Sequence, residues 1–179
     1  MKLKTHLLRT GRYLLYTVIY NIISFLFYFL PAFSTHEFSG RIAFVILGIA
    51  QILFSVLFFR TIPLGKAGDA DGAKPNLLAY FMILSAVSIF ISVYRFENSD
   101  SWFLYIFFNT YYSLIQTSFL DNIPTFIFAY LCENAVKTYC LYQNIQKKKM
   151  SKVSRIVLTV IIILLYLVFL IWLTVVRYG

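Results

Sequence analysis

Long stretches without a charged residue dominate the pattern of this chain. Five stretches, each 18 to 24 residues long, contain no Asp, Glu, Lys or Arg. A helix of about 20 residues matches a bilayer core roughly 30 Å thick, and an ionised side chain inside that core is costly. The pattern therefore predicts an all-α, polytopic transmembrane helical bundle. Its single transmembrane domain covers residues 1–179, with spans at about 13–33, 42–59, 77–94, 102–120 and 156–176.

A sixth apolar stretch follows the fourth predicted span and leaves two alternatives. It contains Glu133 and Lys137, which are spaced i,i+4 and can pair on one helix. A sixth span here would place Lys137 in the membrane and leave eight basic residues on the inner side against seven on the outer. We therefore expect an interfacial or kinked helix near 123–146, with Pro124 in its first turn.

Basic residues are distributed very unequally between the two sides of a five-span bundle. One side receives thirteen Lys and Arg: four before the first span, three between positions 60 and 74, and six between 137 and 155. The other side receives Arg41, Arg95 and Arg177. Because cytoplasmic loops are enriched in Lys and Arg, we expect a cytoplasmic amino terminus and an external carboxyl terminus. The asymmetry is typical of a bacterial plasma membrane protein.

The composition supports a membrane protein and argues against nucleic-acid binding as the explanation of the positive net charge. Hydrophobic residues make up 60% of the chain and charged residues 13%, about half the charged share of a soluble domain. The net charge of +9 comes from cations between apolar blocks, where they orient spans and meet anionic headgroups. We expect a lipid bilayer as partner and no nucleic acid.

Polar residues inside the predicted spans are the candidate functional residues, because polar groups in hydrocarbon need partners. Asn109, Ser113 and Gln116 fall on one helical face of the fourth span, and Asp121 lies at its inner end. This face is interpreted either as a substrate or ion contact, or as a set of interhelical hydrogen bonds that stabilise the bundle. Asp121 is also placed to cap the helix that follows it.

A basic cluster precedes the last predicted span. It is a candidate contact for anionic lipid, although cations at this position also serve simply to orient the helix. The cluster comprises Lys147, Lys148, Lys149, Lys152 and Arg155.

No motif for an enzyme or a cofactor is present in the sequence. The chain has no H-E-x-x-H, G-x-S-x-G, P-loop or dinucleotide fingerprint. We expect no catalytic, metal or cofactor site; a membrane enzyme would need Asp121 and Glu133 to meet in one cleft. The leading hypothesis is a non-enzymatic subunit or accessory of a membrane assembly, with a membrane-protein partner or a second copy. The alternative is a small transporter or substrate-binding membrane subunit with a pocket on the fourth span.

Overall fold

Five α-helices make up the part of the chain that the computed structural model describes, namely residues 2–32, 41–64, 73–97, 123–146 and 150–178. No strand occurs in these ranges, so the predicted all-α class is confirmed for them. The helices are α1 (Lys2–Ala32), α2 (Arg41–Thr61), α3 (Lys74–Glu97), α4 (Ile123–Ile145) and α5 (Lys152–Tyr178).

The helix starts have local causes in the sequence. Pro75 and Pro124 are the second residues of α3 and α4, where a missing backbone N–H removes no helical hydrogen bond. Ser151 precedes α5, and its Oγ accepts a 3.0 Å hydrogen bond from the Ser154 N–H. This is the bond that an N-cap serine makes, and it fixes the start of α5.

Described helices that are consecutive in the chain run in alternating directions, as their side-chain contacts show. On α4, Asn144 Nδ2 donates to the carbonyls of Phe59 and Ile62 at the end of α2, at 3.1 and 3.0 Å. Farther along, Asn134 Nδ2 donates to Ser88 Oγ of α3 at 3.1 Å. Helix α4 therefore lies lengthwise between α2 and α3, parallel to α2 and antiparallel to α3. Helix α1 packs on α3 and α2, and α5 packs principally on α2.

One end of the bundle collects the start of α1, the end of α2, the start of α3 and the end of α4. There Arg12 donates to the Leu64 carbonyl at 3.0 Å and Tyr16 donates to the Pro63 carbonyl at 2.7 Å. His6 Nδ1 and Asn76 Oδ1 lie 2.7 Å apart at the same end. Arg12, Tyr16 and Asn144 thus bind backbone carbonyls in and just after the last turn of α2. We call this the basic end.

Polar side chains are buried and large apolar side chains are exposed on the described helices. The buried set includes Thr10, Thr17, Asn21 and Ser24 of α1, Gln51 and Ser55 of α2, Ser85 and Ser88 of α3, and Glu133, Asn134 and Lys137 of α4. The exposed surface carries large apolar side chains on the same helices, including Leu15, Ile22, Met82, Phe90 and Phe128. Apolar side chains such as Phe59 and Leu141 share this interior. The feature that is unusual for a water-soluble domain is the large number of exposed apolar side chains together with buried charges.

Among the described residues, one helical segment is long and apolar enough to cross a membrane by itself, Lys152–Ile171 of α5. It lies far from the amino terminus, and 6% of its most apolar window is buried inside the structure. Two shorter apolar segments, Gly48–Thr61 and Lys74–Phe90, lie in α2 and α3.

The helix predicted near 123–146 is present as α4. Its Glu133, Asn134 and Lys137 are buried against α1 and α3. Its predicted place, either at the membrane surface, in continuation of the fourth span or as a sixth span, stays a prediction. The predicted span 102–120 lies outside the described residues.

Candidate functional site

A buried ion pair forms the middle of the described bundle. Lys137 Nζ lies 2.5 Å from Glu133 Oε1, and the two side chains are 2% and 1% exposed. The i,i+4 spacing places both groups on one face of α4, one turn apart. Isolated charges would be very costly at this depth, so mutual neutralisation is what allows the pair to stay there.

Tyr20 of α1 covers the cationic half of this pair. Lys137 Nζ lies 4.9 Å from the centroid of the Tyr20 ring, a cation–π distance. The ring packs against Phe54, Phe58 and Phe59 of α2 at centroid distances of 5.2 to 5.5 Å, and its hydroxyl donates to the Gln51 carbonyl at 3.2 Å. Tyr20 therefore joins the ion pair of α4 to both α1 and α2.

A pair of hydroxyl groups, from Thr17 and Tyr80, lies on the side of the site formed by α3. Thr17 Oγ1 and Tyr80 Oη lie 2.6 Å apart in the interior, and the Thr17 hydroxyl is also 3.0 Å from the Tyr13 carbonyl. We call Thr17, Tyr20, Tyr80, Glu133 and Lys137 the polar centre; three helices, α1, α3 and α4, contribute to it.

Further polar atoms are buried on the helices that surround the polar centre. Asn21 Oδ1, Ser24 Oγ, Ser55 Oγ and Ser85 Oγ have no hydrogen-bond partner among the described residues. Buried polar atoms are normally hydrogen-bonded, because desolvation without a partner is unfavourable. Their chemistry suits a hydrogen-bonding solute or further polar groups of the protein.

The described residues contain no candidate metal-binding site. No group of three or more His, Cys, Asp or Glu side chains there is arranged to hold a metal ion. The groups that the polar centre offers are a carboxylate, an ammonium, hydroxyls and aromatic faces, which can bind ions or polar solutes by charge and hydrogen bonding.

The residues predicted from sequence are only partly described. Asn109, Ser113, Gln116 and Asp121 lie outside the described residues, and so do Lys147, Lys148 and Lys149. Lys152 and Arg155 lie exposed in the first turn of α5, at the basic end. The predicted pairing of Glu133 with Lys137 is confirmed.

Sequence reasoning missed the central position of that pair. An acid and a base four residues apart within an otherwise apolar helix were the available signal, because such a pair carries no net charge into the core. Thr17, Tyr20 and Tyr80 gave a weaker signal, since hydroxyl-bearing residues occur throughout the apolar stretches. Comparison with protein-family models, curated proteins and solved structures gives no match to this chain.

Proposed function

We propose that this chain is a multi-pass protein of the plasma membrane in which α1 to α5 each cross the bilayer. The supporting observation is the distribution of side chains, with polar groups buried between helices and large apolar side chains on the surface. Lipid tails solvate such a surface, whereas water does not. The helices of 21 to 31 residues are long enough for the bilayer core.

The proposed crossings differ from the sequence prediction in one element. Helix α4 replaces 102–120 as the fourth crossing, because it runs antiparallel to α3 and contacts it from Lys74 to Ser88. Glu97 and Ile123 then lie at the same end of the bundle, so the chain between them begins and returns on one side. The basic end keeps the cytoplasmic position that its cations favour, and the carboxyl terminus remains outside.

Within this membrane protein, the polar centre is the proposed binding site for a small charged or zwitterionic solute, as in a transporter or a solute-binding membrane subunit. The supporting observation is that Glu133 and Lys137 lie on the same helix. The two charges are paired within α4, and Lys137 also lies over the Tyr20 ring of α1. Replacing a buried ion pair by apolar residues of similar size is often neutral for stability, so packing alone does not require these charges. Charges retained at such depth are better explained by a ligand that exchanges with one partner of the pair.

Solute binding is expected to depend on the charges and not on the packing. The doubly substituted variant Glu133→Gln/Lys137→Met keeps the shape of the pair and removes both charges. We expect a charged or zwitterionic solute from a panel of amino acids, carboxylates, amines and simple salts to raise the melting temperature of the wild-type protein in detergent by several degrees. The same solute should leave the melting temperature of the double variant unchanged.

Lys4→Met, at an exposed cation, is the control and should respond like the wild type. Equal responses of the wild type and the double variant to every solute in the panel would contradict a binding role for the polar centre. Neutral sugars provide the reference for effects unrelated to charge.

A second proposal is a non-enzymatic subunit of a membrane assembly, for which the position of α5 is the specific observation. This helix packs principally on α2 and exposes apolar side chains along its length, so its outer face is open to a partner helix. Extraction in a mild detergent should then recover a partner in fixed stoichiometry, and replacing Ile163 and Leu167 by Trp should release it. Recovery of the chain as a lone, folded monomer would favour the solute-binding proposal.

A further inference from the structure

A groove lies at the basic end between the last turn of α2 and the first turns of α5. Its volume is about 500 Å³, and its walls include Leu57 and Thr61 of α2 and Lys152, Arg155 and Val160 of α5. On α5 the lining residues recur at positions 152, 155, 156, 159 and 160, which is the spacing of a single helical face. One face of α5 thus presents both cations to the groove.

The groove changes character along its length. Lys152 and Arg155 lie at its outer part, next to the end of α2, and Val160 lies two turns deeper, about 12 Å along the helix axis. Leu57 is one turn deeper than Thr61 on α2 and forms the facing apolar wall. The groove therefore has two cations at its outer end and apolar side chains farther in. We call its inner part, lined by Leu57, Ile156 and Val160, the apolar channel. A phospholipid has the same order, with a charged headgroup followed by acyl chains.

Internal partners do not account for the two cations. Among the described residues, no acidic side chain forms a salt bridge with Lys152 or Arg155. The hydroxyls that line the groove donate within their own helices, Thr61 to the Leu57 carbonyl at 2.8 Å and Thr159 to the Arg155 carbonyl at 2.8 Å. Both cations thus line the groove without an acidic partner among the described residues. The two threonine hydroxyls use their hydrogens within their own helices, so they are not donors to an anion.

We propose that this groove binds an anionic phospholipid of the cytoplasmic leaflet, with its phosphate at Lys152 and Arg155 and one acyl chain against Leu57, Ile156 and Val160. The inference rests on the proposed membrane location and adds a ligand site distinct from the polar centre. A free phosphate would meet only the cations, whereas the lipid also covers the apolar wall. The apolar channel is the reason for assigning the lipid.

The test measures lipid retention by native mass spectrometry of the protein taken from nanodiscs that contain equal amounts of phosphatidylglycerol and phosphatidylcholine. Wild-type protein should retain phosphatidylglycerol preferentially. Lys152→Gln/Arg155→Gln should lower this preference about tenfold or more, because each cation near an anionic surface contributes substantially to binding. The control Lys4→Gln/Arg9→Gln removes two charges from the same end and should keep the preference.

A second variant tests the apolar channel with both cations in place. Val160→Trp fills the channel and should reduce the retention of phosphatidylglycerol. Glycerol 3-phosphate, which has the phosphate but no acyl chain, should compete with the lipid to the same extent in this variant as in the wild type. Equal losses in the Lys4→Gln/Arg9→Gln control, or displacement of the lipid by inorganic phosphate at millimolar concentration, would overturn the proposal. Failure of the membrane location is distinguishable, because the protein would then not enter nanodiscs at all, whereas failure of the groove leaves it there without a lipid preference.

Discussion

Lys137→Met is expected to destabilise the folded protein by about 3 kcal/mol or more, the usual effect of removing one member of a buried ion pair. The substitution leaves the Glu133 carboxylate in the interior without its cation, and Tyr20 loses the ammonium that lies over its ring. The carboxyl group must then take up a proton or remain charged in an apolar bundle, and both outcomes are unfavourable. The measurement is the midpoint of thermal or denaturant-induced unfolding in detergent micelles.

The double variant Glu133→Gln/Lys137→Met is the informative comparison. Because it removes both charges, it should be more stable than Lys137→Met, and the two single substitutions should be strongly non-additive. Substitution of the exposed Lys4 by Met should change stability little. A double variant that loses the sum of the two single effects would show that the charges act separately, and the proposed mutual neutralisation would be wrong.

Asn122→Cys is expected to react with a membrane-impermeant maleimide added to intact cells, in a background with Cys132→Ser and Cys140→Ala. Position 122 immediately precedes α4, whose start lies at the end of the bundle opposite to the basic end. With α4 as the fourth crossing, this position faces outside. With 102–120 as the fourth crossing and 123–146 at the inner surface, position 122 would face the cytoplasm, so the expected difference is between labelling and none.

Two further positions fix the remaining orientation. Ser151→Cys, at the basic end beside α5, should label only after the membrane is permeabilised, and Gly179→Cys should label in intact cells. Labelling of Ser151→Cys from outside would favour six crossings. Protection of Gly179→Cys in intact cells would contradict the external carboxyl terminus.

The positions of four helices followed closely from the distribution of charged residues. The predicted spans 42–59, 77–94 and 156–176 correspond to α2, α3 and α5. Each helix extends two to four residues beyond its predicted span at one or both ends. Helix α1 begins eleven residues before its predicted span, because the basic segment that precedes the span is itself helical. Charge sets where a segment meets hydrocarbon, but backbone hydrogen bonding and caps set where a helix ends.

The role of α4 could not be predicted in the same way. A search of the sequence for charge-free segments counts Glu133 and Lys137 as two charges that are unfavourable in hydrocarbon. Only their three-dimensional arrangement shows that they form one neutral unit beneath Tyr20. The polar centre could not be predicted for a similar reason, because its members Thr17 and Tyr80 are 63 positions apart in the chain and meet only in the folded structure. Asn109, Ser113, Gln116 and Asp121 remain predictions of function, since they lie outside the described residues.

The neutral unit on α4 bears on how the protein is made. Among the described residues, α4 does not contain a segment apolar enough to meet the criterion that α5 satisfies. A nascent chain partitions from the translocon into lipid according to the hydrophobicity of each segment. For the multi-pass protein proposed above, we therefore expect α5 to enter lipid by itself. We expect α4 to enter together with α1 and α3, whose Tyr20 and Ser88 contact Lys137 and Asn134.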